Sequence, residues 1–203
     1  MAKIRLTKNE LKKQKEALKR YTRYLPTLEL KKTQLVAEIR LISQQIDKIR
    51  EEIDRFEKEI FHWVDVFGED IDVGALFSVE DVLTTSGNIA GIDIEIFENV
   101  VFRDEEYDLF ETPLWVDKGI EACKEKIRQQ LKIKTLEKQM SVLQEELRIT
   151  VQRINLFDKV KIPEARENIR VIQIYLGDER TSEVVRGKIS KAKIQKKKDL
   201  TAA

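Results

Sequence analysis

The stretch LVAEIRLISQQIDKIREEIDRFEKEI, from Leu35 to Ile60, decides the fold. Its apolar residues recur at alternating intervals of three and four, with charged and amide side chains between them. Residues at this spacing lie on one stripe of an α-helix, and a strict seven-residue repeat predicts left-handed supercoiling around a partner helix. The stretch therefore predicts one helix of a coiled coil.

The same repeat extends back to Leu11. It then covers eight heptads, well beyond the roughly three or four that indicate a coiled coil. Fourteen of its sixteen positions are apolar, and the two polar core positions are Gln14 and Lys32. Pro26 removes one helical hydrogen bond, so we expect a bend near Tyr24–Leu25.

A second helix is predicted to begin near Pro113, because proline suits the first helical turn. Its repeat positions are Ile133, Leu136, Met140, Leu143, Leu147, Thr150, Ile154 and Phe157. Two shorter runs flank it: Ile120, Cys123 and Ile127 upstream, and Ile169, Ile172 and Leu176 downstream. The register breaks near Leu131 and Pro163 predict local unwinding or bending. Gly177 predicts the end of the helix.

The segment between the helices has a different pattern. Glycines punctuate residues 68–112, and from Ile92 isoleucines alternate with other residues, which is typical of a half-buried strand. Residues 99–103 are expected to pair with that strand or continue it, and residues 75–84 to form a partner strand or a short helix. A lone two-stranded hairpin is marginal in water, so it must pack on the helices or on another protein. The aromatic residues placed to receive it are Phe61, Trp63, Phe67 and Trp115.

Two apolar seams of similar length bury each other if the chain folds back between them. The predicted fold is mainly α: a long antiparallel two-helix left-handed coiled coil with a small module, containing a β-hairpin, between the helices. The predicted parts are an N-terminal helix at 1–64, an acidic module at 65–112, a C-terminal helix at 113–176 and a basic tail or helix extension at 177–203. The predicted core residues are Ile39, Ile42, Ile46, Ile49, Ile53, Phe56, Met140, Leu143, Leu147 and Ile154.

Charge is distributed unevenly along the chain. Residues 1–23 hold nine Lys or Arg and two Asp or Glu, and residues 186–203 hold seven basic residues and one acidic residue. Residues 65–112 hold fourteen acidic residues and one basic residue, Arg103. In an antiparallel helical hairpin, both basic termini would lie at one end and the acidic module at the other.

The sequence lacks the patterns of an active site. There is no phosphate-binding loop and no set of metal ligands at suitable spacing. His62 lies beside the predicted core residue Trp63, and Cys123 lies on a seam, so both are interpreted as structural residues. We expect no catalytic, cofactor or metal site. No apolar run reaches the roughly 18 residues of a membrane span, and a single cysteine suits a reducing compartment, so we expect a soluble cytoplasmic protein.

The segment RINLFDKVKIPEARENIRVI, Arg153 to Ile172, resembles the C-terminal helix of the D subunit of V-type and A-type rotary ATPases. That helix carries a pattern like R-x-N-A-L-E-x-V-x-I-P. The residues that fit it are Arg153, Asn155, Lys159, Val160, Ile162 and Pro163. Phe157 and Asp158 replace the usual Leu and Glu.

Three other segments support the resemblance, which covers most of residues 7–176. NIAGIDIEIF resembles the family's N-I-x-G stretch, with Asn88, Ile89 and Gly91 matching and Glu95 where proline is common. The other two are YDLFETPLWVD at 107–117, similar to the lead-in to the second helix, and LELKKTQL at 28–35, similar to a basic segment. RYTRYLPT, which contains Pro26, departs from the family pattern.

The resemblance implies a non-catalytic rotor shaft that couples nucleotide chemistry to ion movement. Its partners would be the catalytic A and B subunits of the ring, the small F subunit, and the socket subunit of the membrane rotor. It would bind no nucleotide itself and would be peripheral to the cytoplasmic face of the membrane. The basic tip, residues 1–23 and 186–198, would enter the ring. Its candidate contacts are Lys8, Lys12, Lys13, Arg20, Arg186 and Lys188.

Three alternatives fit parts of the pattern. A prefoldin-like chaperone also has two antiparallel helices with β-hairpins between them, but it needs apolar residues near its termini, where lysine dominates here. A nucleic-acid-binding arm would use the basic clusters on phosphates, but stacking aromatics are sparse there. A plain scaffold coiled coil would not require the motif at residues 153–163.

Overall fold

The structure is a computed structural model that describes residues 4–61, 73–106, 113 and 115–201. Its elements are helix α1 (Lys8–Phe61), a 3-10 turn (Val73–Ala75), strands β1 (Phe77–Ile89) and β2 (Ile92–Asp104), helix α2 (Val116–Leu156), a π-helical turn (Phe157–Lys161) and helix α3 (Ile162–Thr201). The predicted fold class, two long helical segments with a β-hairpin between them, is confirmed. His62, Trp63, Phe67, Gly68 and most of the segment 107–117 lie outside the described residues.

The chain forms two compact units. The first consists of Met1–Leu30 with Val151–Ala203, and the second of Lys31–Thr150. These units follow packing and cut across the long helices. The predicted four-part division stays a prediction.

In the second unit, α1 packs against α2 in antiparallel fashion. The shared core consists of Leu35, Ile42, Ile46, Ile49, Leu136 and Leu143, with Ile39, Ile53, Ile133, Met140 and Leu147 partly buried against it. Ion pairs flank this seam, at 2.8 Å between Lys31 and Glu146 and at 2.9 Å between Lys126 and Glu57. Phe56 is half-buried near the end of α1.

Helix α1 keeps its predicted stripe turned away from water. Every repeat position from Leu11 to Ile60 is buried or half-buried except Lys32, which is exposed. The prediction of a core position for Lys32 is therefore wrong, because a buried unpaired ammonium would lose its hydration. Gln14 stays half-buried because its amide can donate to Glu10, at 2.8 Å. Pro26 lies inside the uninterrupted helix, and the bend expected there stays a prediction.

In the first unit, α1 packs against α3 and the π turn. Tyr21 and Phe157 stack with ring centroids 5.2 Å apart, and Asn168 Nδ2 lies 3.5 Å from Gln14 Oε1. The buried apolar residues of α3 are Ile162, Ala165, Ile172 and Leu176. Ile154, at the end of α2, is half-buried. All residues from Gly177 to Gln195 are exposed.

The register break near Leu131 does not unwind α2, which is regular from Val116 to Leu156. Of the predicted unwinding or bending, the unwinding is wrong, and the bending stays a prediction. The upstream run Ile120, Cys123 and Ile127 packs against the base of the hairpin, whereas the main repeat of α2, from Ile133 to Leu147, packs against α1. The break therefore marks a change of packing partner.

The break near Pro163 does correspond to local unwinding. Residues 157–161 form a π turn, in which the Ile162 N–H bonds to the Phe157 carbonyl, five residues back. Pro163 has no N–H to donate, and its ring crowds the carbonyl of Lys159 in a regular α-helix. The wider π turn lies where that carbonyl needs room.

The helix does not end at Gly177, so that prediction is wrong. Helix α3 continues to Thr201. A glycine in a helix interior costs only about 1 kcal/mol relative to alanine. The helix-compatible residues that follow Gly177 outweigh this cost.

The hairpin turns through a two-residue loop. Ile89 pairs with Ile92, and the loop residues Ala90 and Gly91 both have positive φ, 52° and 79°. Two positive φ angles match the twist of the flanking strands. Asn88 supports the turn, because its Oδ1 accepts from the Gly91 N–H at 3.0 Å and its Nδ2 donates to Asp93 at 2.7 Å.

We expect Gly91→Ala and Gly177→Ala to have opposite effects on stability. A Cβ at either position would meet nothing within 4 Å, so packing is the same for both. Gly91→Ala should destabilise the hairpin by about 1 kcal/mol because of its positive φ, while Gly177→Ala should stabilise α3 by about 1 kcal/mol. Hydrogen exchange of the hairpin and of α3 measures both changes. Equal effects of the two substitutions would contradict the assigned turn.

Ile172→Ala and Ile174→Ala form a second matched pair. Ile172 is fully buried and Ile174 is 52% exposed. Removing the buried side chain should cost about 2–5 kcal/mol through lost burial and a cavity, and removing the exposed one less than about 0.5 kcal/mol. Chemical denaturation followed by circular dichroism measures the difference. Similar losses would show that the seam of α3 is misassigned.

Candidate interaction surfaces

Helix α2 holds the hairpin along one strand edge. Gln139 is buried, and its Nε2 donates to the backbone carbonyl of Glu95 in β2. Lys138 Nζ forms an ion pair with the carboxylate of the same residue at 2.7 Å. Near the turn, Ile89 and Ile92 pack on the core between α1 and α2. The β2 edge therefore faces α2.

The base of the hairpin is held by aromatic and charged contacts. Phe77 and Phe102 meet edge to face with centroids 6.0 Å apart. Lys124 Nζ lies 5.8 Å from each of these centroids and also forms an ion pair with Asp104. Val116 of α2 is buried beside this cluster. Sequence analysis missed Lys124 and Gln139, because a single polar residue on a charged helix carries no periodic signal.

Parts of the hairpin surface are open. Val79, Leu83, Ile96 and Val101 are exposed apolar residues on its two strands. Glu80, Asp81 and Glu98 lie among them in sequence and are exposed as well. An apolar surface with acidic neighbours is suited to a partner with basic side chains.

All six candidate contacts of the basic tip are exposed and belong to the unit formed by Met1–Leu30 and Val151–Ala203. They are Lys8, Lys12, Lys13, Arg20, Arg186 and Lys188. Lys12 Nζ lies 4.0 Å from Glu16, and among the described residues the other five have no ion-pair partner. No hydrogen bond or ion pair between described residues joins the N-terminal group to the C-terminal group, so their meeting at one end stays a prediction.

The end of α3 also exposes apolar side chains. Val184, Val185, Ile189 and Ile194 are about half exposed or more. An exposed helix gains little stability without packing. This segment is therefore a second candidate surface for a partner.

The residues of the 153–163 motif mostly face solvent. Arg153, Asn155, Lys159, Val160 and Pro163 are exposed, and Ile162 is buried. The structure explains the last part of the motif through the π turn before the proline. The side chains of the exposed members have no hydrogen-bond or ion-pair partner among the residues that the structure describes. Asn88 and Gly91, from the other matching segment, build the hairpin turn.

The described residues contain no group of His, Cys, Asp and Glu that could hold a metal ion. Burial raises the pKa of the Cys123 thiol, an effect that Lys126 partly opposes. The thiol therefore stays protonated and unreactive at neutral pH. It packs against the buried cluster at the hairpin base. Among the described helices, none is long and apolar enough to cross a membrane.

Two exposed Glu–Arg ion pairs lie on the outer surfaces of the helices, and the two members of each pair are three residues apart in sequence. Hydrogen bonds from Arg148 lower the pKa of Glu145, and those from Arg170 lower the pKa of Glu167. In return, these carboxylates raise the pKa of the two arginines. A lowered carboxyl pKa adds stability above the unfolded value and loses it as pH falls through the folded value. These pairs therefore weaken only in acid, below about pH 4.5.

Comparison with known proteins identifies the family of this chain. The sequence model of a family described as the ATP synthase D subunit matches residues 10–192. The chain belongs to this family. It is 48% identical to the D subunit of the V-type ATP synthase of Borreliella burgdorferi, over 97% of this chain and 98% of the relative. It is 32% identical to the protein of that name from Chlamydia caviae, over 97% and 96% of the two chains.

Membership of the ATP synthase D family has two direct consequences. The resemblance of the 153–163 motif and of the hairpin turn is confirmed at the level of the family. The D subunit is a structural component of the stalk in an ion-transporting complex and is not itself catalytic.

Thr150 provides a test of how tightly the seam of this D-family chain is packed. Its side chain is 1% exposed, and its hydroxyl has no hydrogen-bond partner among the described residues. Thr150→Val keeps the shape and removes a buried unsatisfied group, so it should stabilise the chain by about 1–2 kcal/mol. Thr135→Val is the control, because the Thr135 hydroxyl donates to the Leu131 carbonyl at 2.9 Å. Urea denaturation measures both, and a loss of stability in Thr150→Val would contradict the packing.

Proposed function

We propose that this chain is the central rotor shaft of a V/A-type rotary ATPase or ATP synthase. It couples ATP synthesis or hydrolysis in the catalytic ring to ion translocation in the membrane sector. The match to the D family over residues 10–192 carries this proposal. The antiparallel helices with continuous apolar seams support it, since a shaft must resist twisting.

The chain contributes no bond chemistry in this mechanism. It acts by contacting the subunits of the ring differently, since a ligand shifts conformational states only through differential interaction. A pair of helices lacks three-fold symmetry, so a ring with three catalytic sites meets a different surface at each site. Rotation of the shaft then changes the state of each site in turn.

The D family implies the partners, and we assign them to the two ends of the chain by charge. The A and B subunits of the ring receive the basic tip, with Lys8, Lys12, Lys13, Arg20, Arg186 and Lys188 as candidate contacts. The acidic module lies outside the ring, near the small F subunit or the socket subunit of the membrane rotor. The chain then works at the cytoplasmic face of the membrane, as a peripheral part of the complex.

The prefoldin-like alternative has less support. It depends on the combination of antiparallel helices with a β-hairpin. A match to the D family that spans nearly the whole chain accounts for the same architecture. A prefoldin-like chaperone also needs apolar residues near its termini, and the exposed end of α3 has some. This segment is equally suited to contact with a ring of subunits.

Charge reversal tests the basic tip. Lys8→Glu with Lys13→Glu should lower ATPase activity and coupling of the assembled complex at least about fivefold, because like charges would then face the ring. Lys132→Glu with Lys134→Glu is the control, since these exposed lysines lie on α2 and, like Lys8 and Lys13, have no ion-pair partner among the described residues.

Both double variants should leave the free chain folded, because all four side chains are exposed. Native mass spectrometry of the complex from its own cells reports assembly, with one copy of this chain expected per three copies of each large nucleotide-binding subunit. Unchanged activity and coupling in Lys8→Glu/Lys13→Glu would contradict entry of the tip into the ring. Absence of the ring subunits from the purified complex would contradict the proposed function.

A further inference from the structure

The two edges of the hairpin are not equivalent. The sheet formed by the described residues has two strands, and its β2 edge meets α2 through Gln139 and the Glu95 carbonyl. For β1, no described residue outside the hairpin forms a hydrogen bond with residues 78–88. Within the described part of the chain, the outward N–H and C=O groups of β1 therefore form an open edge.

Part of this edge lacks the features that normally protect edge strands. Folded proteins block such edges with charges, prolines or bulges. Glu80 and Asp81 lie at the first register shift, and a second shift falls between Leu83 and Thr84. From Thr84 to Ile89 the pairing is regular, and the sequence LTTSG at 83–87 contains neither charge nor proline. Leu83 is 41% exposed on this segment.

The charge of the hairpin indicates which kind of strand can pair with the edge of β1. Residues 77–104 contain six acidic residues and one basic residue, Arg103. Pairing of two β1 edges would bring two such acidic hairpins into one sheet, and like charges across strands are destabilising. A strand with basic flanking residues would instead neutralise Glu80 and Asp81.

We propose that residues 83–88 of β1 accept an extended strand of a partner protein, and that basic residues flank this strand. The main-chain hydrogen bonds supply the affinity, and alternate side chains supply the specificity. Leu83 and Thr85 lie on one face of β1, and Ile96 pairs with Thr85, so an apolar side chain of the partner fits beside them. This inference rests on the proposed function only in placing the partner within the same complex.

Hydrogen exchange with mass spectrometry tests the open edge. The full-length chain is compared, free and in the complex purified from its own cells. Peptides covering 83–88 should exchange at least about tenfold more slowly in the complex, because strand addition protects the outward amides. Peptides covering 92–96 serve as the internal control, since this strand is already paired and faces α2.

Thr84→Pro and Thr85→Pro provide a matched pair of variants. Neighbouring N–H groups in a strand point to opposite edges, so one substitution removes an outward donor and the other removes a hairpin hydrogen bond. Exchange of β2 in the free chain identifies the variant that keeps the hairpin. In the complex, that variant should lose the protection of residues 83–88 and weaken partner binding about tenfold.

Three results would overturn the inference. The first is that residues 83–88 exchange as fast in the intact complex as in the free chain. The second is that this segment is already fully protected in the free chain. The third is that the free chain forms a dimer, which the hairpin-preserving variant abolishes. If the purified complex contains the ring subunits but residues 83–88 are not protected from exchange, this inference alone is refuted. If a strand of another protein protects residues 83–88 and the purified complex contains no ring subunits, only the proposed function is refuted.

Discussion

The removal of one apolar stripe per helix from water is the interaction on which this structure depends. Helices α1, α2 and α3 are charged on their other faces, and a helix without packing has little stability of its own. Leu35, Leu143 and Ile172 are fully buried, each on a different helix. Antiparallel pairing satisfies all three stripes within one chain.

The hairpin is stable because α2 has more apolar surface than α1 covers. The upstream run of α2 packs on the hairpin base, and its main repeat, from Ile133 to Leu147, packs on α1. Lys124 and Gln139 then fix the strand by charge and by a hydrogen bond to a backbone carbonyl. A two-stranded sheet that is marginal alone thereby acquires a fixed position.

The surfaces that the seams leave exposed are the candidates for contact with other subunits. Among the described residues, three surfaces lack partners: the candidate contacts of the basic tip apart from Lys12, the apolar end of α3 and the outer edge of β1. A structural component of a stalk must carry such surfaces, because its role is to contact other subunits. The two proposals assign the basic tip to the catalytic ring and the acidic hairpin to a strand with basic flanking residues.

The sequence by itself determined the helices, their apolar stripes, the hairpin and the family, because period and motif are local properties. It also located the distortion at Pro163, since a missing N–H acts on its own helical turn. Only the tertiary structure decided which stripe faces which partner: the shift near Leu131 is a change of neighbour, Lys32 turns to water, and α3 continues past Gly177. Lys124 and Gln139 became anchors for the same reason. Desolvation and pairing depend on residues distant in the chain, and no local pattern records them.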